Sequence, residues 1–522
     1  MPLNDGPDAL GARGPLNLSD VAQVLGTSLV GGRTTPPGPP VTGVTLDSRR
    51  VGAGDLYAAL PGANVHGAAF AAQAAAAGAV AALTDPDGAG LVTAAGLPVL
   101  VVDEPRAVLG DLAARIFGRP GDRLRTVGVT GTNGKTTTAY LVESLLRSVG
   151  WTTGLLGTVE TRIAGERVES VRTTPEAPDL HALLARMVAA GVQGCALEVS
   201  SHALAQHRVD GLVVDVALFT NLSQDHLDFH GSMADYFAVK ALLFTPAHAR
   251  TGVVWVDAAD EDRWGLQLAA RASVPVTTVG TAGTDWLVSR VDVGRASSSF
   301  RLSRGDVVLD LVCPLPGDFN VANAALAVVA ALQLGLAPAG VVAGLAAADG
   351  VPGRMQPVPA DEDAPLVVVD YAHTPDALER VLRALREITP GRLVAVFGAG
   401  GDRDRGKRPL MGAAVAALAD VAVVTDDNPR SEDAAAIRAA VLAGAGSGPA
   451  EVVEVADRAD AIAAALERCT GPGDTVLLAG KGHETGQESA GGVTPFDDRA
   501  VAGAALQQWR RSRSAALPGG VS

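Results

Sequence analysis

Apolar and polar positions divide the chain into three stretches of different rhythm. Up to about residue 120, an apolar run at Val99 to Val102 alternates with an alanine-rich helical pattern at Ala71 to Ala82, which reads as α/β. From Arg125 to Thr130 a buried-type strand runs through a glycine-rich turn into a helix over Lys135 to Val149. Further apolar runs predict strands at Gly194 to Val199, Val213 to Thr220 and Val253 to Val256, with helices between them. Alternation between about residues 284 and 312 predicts antiparallel strands, followed by a helix near Asn320 to Leu334. Beyond residue 354 five short apolar runs alternate with helical patterns: Leu366 to Val369, Leu393 to Phe397, Val421 to Thr425, Val452 to Val455 and Thr475 to Ala479. That rhythm belongs to a parallel sheet wrapped by helices.

The breaks fall at Arg119-Pro120-Gly121-Asp122 and in the Pro/Gly-rich stretch Asp349 to Arg354. They predict a three-domain α/β architecture over residues 1–120, 121–350 and 351–522, within the three or four domains that 522 residues allow. Residues 1 to about 16 and about 513 to 522 read as tails, and Gly31 to Pro40 as a loop. No fixed-period repeat is present, and the N-terminus has no apolar segment of signal-peptide type. Ala68 to Thr84, rich in Ala and Gly, suits a helix and a short strand better than a membrane span.

Charge changes the range of partners. Asp and Glu number 57 against 42 Lys and Arg, a net −15, which argues against a nucleic acid ligand. Small phosphorylated ligands need only a local basic pocket and remain open. Apolar residues at 48% can fill large cores, and the 61 glycines favour close backbone approach to ligands. Cys195, Cys313 and Cys469 have neither zinc spacing nor a disulfide pattern and read as buried thiols of a cytoplasmic protein.

The candidate chemistry sits at strand ends. Gly131-Thr132-Asn133-Gly134-Lys135-Thr136-Thr137 joins a strand to a helix, where backbone N–H groups and the helix N-terminus favour phosphate. Lys135 is then placed for the β- and γ-phosphates and the Thr136 hydroxyl for Mg²⁺. The strict P-loop spacing is not met, because Val129 stands where its first glycine belongs and Gly128 comes one position early. Glu198 to His202 and Asn221 to His226 each end a strand, so Glu198 and His226 are candidates for a second divalent ion. As residues alone, one carboxylate and one imidazole do not define a metal site, and the competing reading is that they merely cap loops. In the last stretch Asp370 to His373, Gly398 to Lys407, Asp426 to Arg430 and Gly480 to Glu484 all follow apolar runs. Arg403, Arg405, Lys407, Arg430 and Lys481 give this end of the sheet a cationic character suited to carboxylates and phosphates.

The segments GTNGKTT, TTPE, EVSSHAL, FTNLSQDHLDFHG, GDFNVANA, PGRMQ, DYAHTPDAL, GGDRDRGKRPLMG, DDNPR and GKGHE run in one order over residues 128–484. Together they resemble the Mur ligase family, in its tripeptide-synthetase branch. The resemblance implies a UDP-binding N-terminal domain, a central P-loop-type ATPase and a C-terminal Rossmann-like domain for the incoming amino acid. It implies ATP-dependent ligation of meso-diaminopimelate to UDP-N-acetylmuramoyl-L-alanyl-D-glutamate, through an acyl phosphate, with Mg²⁺ as cofactor, and a monomer is expected. By the same resemblance Gly131 to Thr137, Asn320, Asn323, Arg354 and Asp370 bind ATP. Thr136, Glu198, His226 and Lys240 hold metal, Lys240 as a carbamate. Leu46, Ser48, Thr173, Thr174, Ser200, Gln206 and Arg208 take the UDP-sugar dipeptide. Arg403, Asp427, Asn428, Pro429, Arg430, Gly480 and Glu484 take diaminopimelate, Arg430 pairing with the distal carboxylate that L-lysine lacks. Arg172, where Asn is common, and Ala63-Asn64-Val65 depart from the family pattern. Without the resemblance Lys240 is a helix lysine with a buried stem. An L-lysine-adding ligase, a folate-type polyglutamylating ligase and a P-loop switch that makes no covalent product are the competing readings.

Overall fold

The computed structural model describes residues 16–31, 37–62, 64–168, 172–361, 363–446 and 448–516. Ala63, the middle of the expected loop, and all of the expected N-terminal tail except Leu16 lie outside them. The described chain builds three sheets in succession, plus a separate hairpin.

The first sheet has the strand order Leu29–Val30, Val99–Val101, Ala81–Thr84, Asp55–Ala58, Gly43–Thr45 and is parallel except for Leu29–Val30. The expected helix over Ala71 to Ala82 is shorter than its pattern. It ends at Ala77 because Gly78 turns at φ +103°, and Ala81–Thr84 then forms a fully buried strand. Alanine serves both elements, so composition hides the boundary.

The second sheet has eleven strands, running from Val307–Cys313 through Ser298–Arg304, Trp286–Val293, Val276–Gly280, Ala249–Val256, Val214–Phe219, Arg125–Thr130, Gly194–Glu198 and Thr153–Leu156 to Thr161–Ile163 and Glu166–Val168. Its seven middle strands are parallel, and antiparallel strands extend both sides. The chain fills one side of Arg125–Thr130 before crossing to Val214–Phe219, which puts a topological switch point at the carboxyl end of that strand. Helices Lys135–Ser148 and Asp318–Gln333 pack together over one face, the second with an unbroken buried run from Asn323 to Ala331. Ala177–Ala189 buries Leu180, Leu184 and Met187 against the other face. Ala249–Val256 starts four residues before its expected position, because the exposed Arg250 interrupts the apolar run while the backbone still pairs Val214 with Ala249.

The third sheet has the order Gln356–Pro357, Leu366–Asp370, Thr475–Ala479, Leu393–Phe397, Val421–Val424, Glu451–Glu454, and its last five strands are parallel. Helices cover both faces around two apolar clusters. Arg458 and Asp498 form a fully buried pair at 2.7 Å that ties the helix Arg458–Glu467 to the last helix, Asp498–Ala516. That last helix continues into the segment read as a C-terminal tail; residues 517–522 lie outside the described part. Gly486–Ser489 and Gly492–Pro495 form the separate hairpin. The three cysteines are free and buried, as expected, and burial pushes each thiol up to about 12. Among the described residues no helix is long and apolar enough to cross a membrane.

Candidate active site

The phosphate loop follows Arg125–Thr130 at the switch point. Gly131 adopts φ +148° and Gly134 φ +83°, and a side chain on either would collide with Thr220 or Asn323 respectively. The loop is fastened by the next strand end. The Thr132 N–H donates to the Asn221 carbonyl and the Asn133 N–H to Asn221 Oδ1, both at 2.9 Å. Lys135 folds back over the loop, its Nζ donating to the carbonyls of Gly131 (3.0 Å) and Thr132 (2.9 Å). Burial lowers its pKa, opposed by the Glu198 and Asp225 charges.

The Thr136 hydroxyl donates to Glu198 Oε2 at 3.0 Å, and the same carboxylate accepts from the Thr158 N–H and hydroxyl at 2.7 and 3.1 Å. Hydroxyl and carboxylate oxygens thus stand side by side at the start of the helix, a donor set that fits Mg²⁺, which keeps water and phosphate in its remaining positions. Among the described residues no cluster of three or more His, Cys, Asp or Glu surrounds a metal position. His226 sits at φ +54° beside Asp225, with Nε2 3.4 Å from Oδ2. Burial depresses it to about 4, so its imidazole is neutral at neutral pH.

Lys240 departs from the expected helix lysine with a buried stem. The whole side chain is buried, ammonium included, with Nζ donating to the Gly131 carbonyl at 2.8 Å and lying 4.5 Å from the centre of the Tyr236 ring. The helix Met233–Ala241 aims it under the phosphate loop instead of toward water. Burial, reinforced by the Lys135 charge, drives its pKa well down.

Asn320, Asn323, Arg354 and Asp370 line one cavity with Asn133, Gly134, Thr136 and Thr137. Arg354 reaches from the third unit to the Thr136 hydroxyl at 3.2 Å and stacks on Tyr371, 4.6 Å from the ring centre. Asp370 accepts from the Met355 and Ala372 N–H groups at 2.7 and 2.8 Å, so both its oxygens hold the surrounding backbone. A second link between units escaped the sequence reading. Asp376 Oδ2 accepts from Asn133 Nδ2 and the Ser223 hydroxyl, each at 2.8 Å, fastening the helix Pro375–Glu387 to the phosphate loop. Its position inside the DYAHTPDAL segment was the available signal.

The UDP-sugar set divides. Leu46 and Ser48 line a cleft of about 900 Å³ between the first two units, together with Tyr57, Phe70, Val65 and Arg172. Thr173, Thr174, Ser200, Gln206 and Arg208 group instead beside the Glu198 strand end. The Thr174 hydroxyl donates to the Glu198 carbonyl at 2.9 Å, and Ser200 Oγ accepts from the Ala203 N–H at 3.2 Å. Glu176 joins the two parts: Arg106, Arg172 and Arg208 approach it at 2.9, 3.7 and 3.0 Å. Arg106 and Glu176 were not assigned from sequence, although Glu176 ends the TTPE segment.

The third cavity, of about 540 Å³, is lined by Arg403, Asp427, Asn428, Arg430, Gly480 and Glu484. Pro429 alone of the expected set is not among its walls. Asp225 and His226 also line it, and Tyr371 and His373 line both this cavity and the Asn320–Asp370 cavity. The expected cations differ in availability. Lys481 is fully buried and donates to Asn428 Oδ1 (2.9 Å) and Glu484 (3.2 Å), so it organises the wall rather than offering charge to a ligand. Arg405 pairs with Glu432, which Arg408 also holds, a partner sequence reasoning missed. Asp427 Oδ2 is buried with no hydrogen-bond partner.

Three family models match the chain in order: Mur ligase family, catalytic domain over residues 40–116; Mur ligase middle domain over 129–331; and Mur ligase, glutamate ligase domain over 353–482. The UDP-N-acetylmuramoyl-L-alanyl-D-glutamate--2,6-diaminopimelate ligase of Streptomyces coelicolor is 54% identical over 94% of this chain and 96% of its own length. The enzyme of the same name from Corynebacterium glutamicum is 48% identical over 90% of this chain and 92% of its own. A solved structure of a ligase of that name superposes with a TM-score of 0.66 at 32% identity, covering 95% of this chain and 99% of its own. With the three units in this order and a cavity walled by the phosphate loop between the second and third, the chain belongs to the Mur ligase family.

Proposed function

We propose that the protein is an ATP-dependent ligase that joins meso-diaminopimelate to the D-glutamate γ-carboxylate of UDP-N-acetylmuramoyl-L-alanyl-D-glutamate, in the cytoplasm and as a monomer, for peptidoglycan synthesis. The observation that carries this reading is the junction of cavities: Tyr371 and His373 wall both the cavity at the phosphate loop and the cationic cavity at Arg430. An amine held in one can therefore reach a carboxylate activated in the other.

A carboxylate is a poor electrophile, so its oxygen first attacks the γ-phosphorus of ATP, with ADP leaving. The amine nitrogen then attacks the acyl carbon, and inorganic phosphate leaves as the nitrogen loses its proton. The protein's part is positioning and charge neutralisation. Lys135 swings from the Gly131 and Thr132 carbonyls to the transferring phosphate. The Gly131–Thr137 loop holds the phosphates, while Asn320, Asn323 and Arg354 enclose the nucleoside side. Thr136, Glu198, His226 and a carbamylated Lys240 would hold Mg²⁺, which neutralises phosphate charge when bound. Leu46 and Ser48 take the uridine side of the UDP-sugar, and Thr173, Thr174, Ser200, Gln206 and Arg208 take its peptide side. Glu484 accepts from an ammonium group of diaminopimelate, Asp427, Asn428, Gly480 and Arg403 complete its cavity, and Arg430 pairs with the distal carboxylate.

Arg430 also separates this reading from L-lysine addition, since lysine lacks the matching carboxylate. Purified protein with ATP, Mg²⁺ and the UDP-dipeptide is expected to release ADP and form the tripeptide product by mass only when meso-diaminopimelate is added. Product formed equally well with L-lysine or glutamate, or ADP release without a product, would overturn the assignment.

The same burial that lowers the Lys240 pKa favours reaction with CO₂, since only the unprotonated amine adds it. The carbamate replaces a buried cation by an anion next to the proposed metal. With ¹³C-labelled bicarbonate, a carbamate carbon resonance is expected in the wild type and not in Lys240→Arg. The same resonance in both proteins would refute the modification at this position.

A further inference from the structure

Arg430 lines the amino-acid cavity, but part of its guanidinium is held from another side. Nε donates to Glu488 Oε2 at 2.9 Å and Nη1 to the Gly401 carbonyl at 2.8 Å, while Nη2 has no protein partner among the described residues. Glu488 is not itself a wall of the cavity. It stands on Gly486–Ser489, the first strand of the separate hairpin, and that strand is stitched to the Asp427–Arg430 turn. The Arg430 N–H donates to the Glu488 carbonyl at 3.0 Å, the Glu488 N–H to Asn428 Oδ1 at 2.9 Å, and Gln487 Nε2 to the Asp427 carbonyl at 2.8 Å. The hairpin therefore buttresses the turn through backbone and side chain together, and Glu488 is the member that touches the guanidinium.

We propose that Glu488 is a positioning residue for diaminopimelate: by holding Nε of Arg430 from outside the cavity, it leaves Nη2 and the second N–H of Nη1 for the distal carboxylate. The proposal rests on the reading of Arg430 given above. Two effects of Glu488 oppose each other. Its negative charge repels an incoming carboxylate, and its hydrogen bond fixes a side chain that otherwise has to be immobilised on binding. The Glu488 side chain is 50% exposed, so water screens its charge, whereas the Arg430 side chain is only 20% exposed and its orientation is what the ligand meets. Immobilising a long side chain outweighs a screened repulsion. Orientation wins.

The test is a set of steady-state measurements on the full chain with all three substrates varied. Glu488→Ala is expected to raise the KM for diaminopimelate about 3- to 10-fold, with kcat and the KM values for ATP and the UDP-dipeptide unchanged. Glu488→Gln is expected to recover most of the loss, because its amide oxygen still accepts from Nε. In an Arg430→Ala background, Glu488→Ala is expected to have no further effect. A fall in the diaminopimelate KM of Glu488→Ala would mark Glu488 as a competing carboxylate and overturn the proposal. A rise shared by all three substrates, or a drop in Tm, would reduce the hairpin to a structural brace and overturn it as well. If Arg430→Ala itself leaves the diaminopimelate KM unchanged, the underlying reading of Arg430 fails. If Arg430→Ala raises that KM and Glu488→Ala does not, only the role of Glu488 fails.

Discussion

Lys135→Ala is expected to lower ligation turnover by about 10³-fold or more while leaving the fold intact. The ammonium is the side-chain cation inside the phosphate loop, and its present partners are two backbone carbonyls that phosphate oxygens would replace. Its hydrogen bonds go to backbone and to no side chain among the described residues, so the local cost is that of two backbone carbonyls losing one donor, about 1 kcal/mol, beside the attraction of the Glu198 and Asp225 charges. Stability and activity should therefore separate. The check is single-turnover ADP formation beside a thermal melt of the same preparation. Ligation at the wild-type rate would remove Lys135 from the phosphate-binding role, and a melt that collapses would show that its contacts are structural.

Arg430→Ala is expected to raise the KM for diaminopimelate about 30-fold or more, because a charge-assisted contact to a carboxylate is lost. ATP and UDP-dipeptide KM values should hold, since Arg430 lines the 540 Å³ cavity and, among the described residues, is hydrogen-bonded to Glu488 and Gly401 and not to the phosphate loop or the N-terminal cleft. The substitution leaves Glu488 without its partner, but a half-exposed carboxylate returns to water at little cost. Selectivity against L-lysine should fall in step with the diaminopimelate KM, as lysine never used the guanidinium. Were the ATP KM to rise and the diaminopimelate KM to stay constant, Arg430 would belong to the nucleotide and not to the amino acid.

Local pattern was enough for the elements that carry phosphate chemistry. Arg125–Thr130 is fully apolar or small after its first residue and is followed at once by glycines and a helix, so strand, loop and helix are each stated within a dozen residues. The same holds for four of the five parallel strands of the third sheet, which are buried or half-buried runs bounded by polar turns, while the edge strand Glu451–Glu454 shows only its two central valines as an apolar signal. Thr153–Leu156, Thr161–Ile163 and Glu166–Val168 were not legible, because three or four residues are too few for a period to show. The hairpin at Gly486–Pro495 was missed for another reason: nearly all its side chains are half-buried or exposed, so it carries no apolar alternation at all.

The candidate site divides along the same line. Sequence by itself determined the residue types, their order and their placement at strand ends, because those depend on neighbours within a few positions. Only the tertiary structure decided which charges are available. Lys240 and Lys481 look alike as isolated lysines, yet one is buried under the phosphate loop on a carbonyl and the other is locked between Asn428 and Glu484. Asp376 reaches Asn133 across 243 positions of sequence, Arg354 reaches Thr136 across 218, and Glu488 reaches Arg430 across 58. Contacts of that range depend on how three sheets pack, and pairing and desolvation set the behaviour of each charge only after packing has chosen its neighbours.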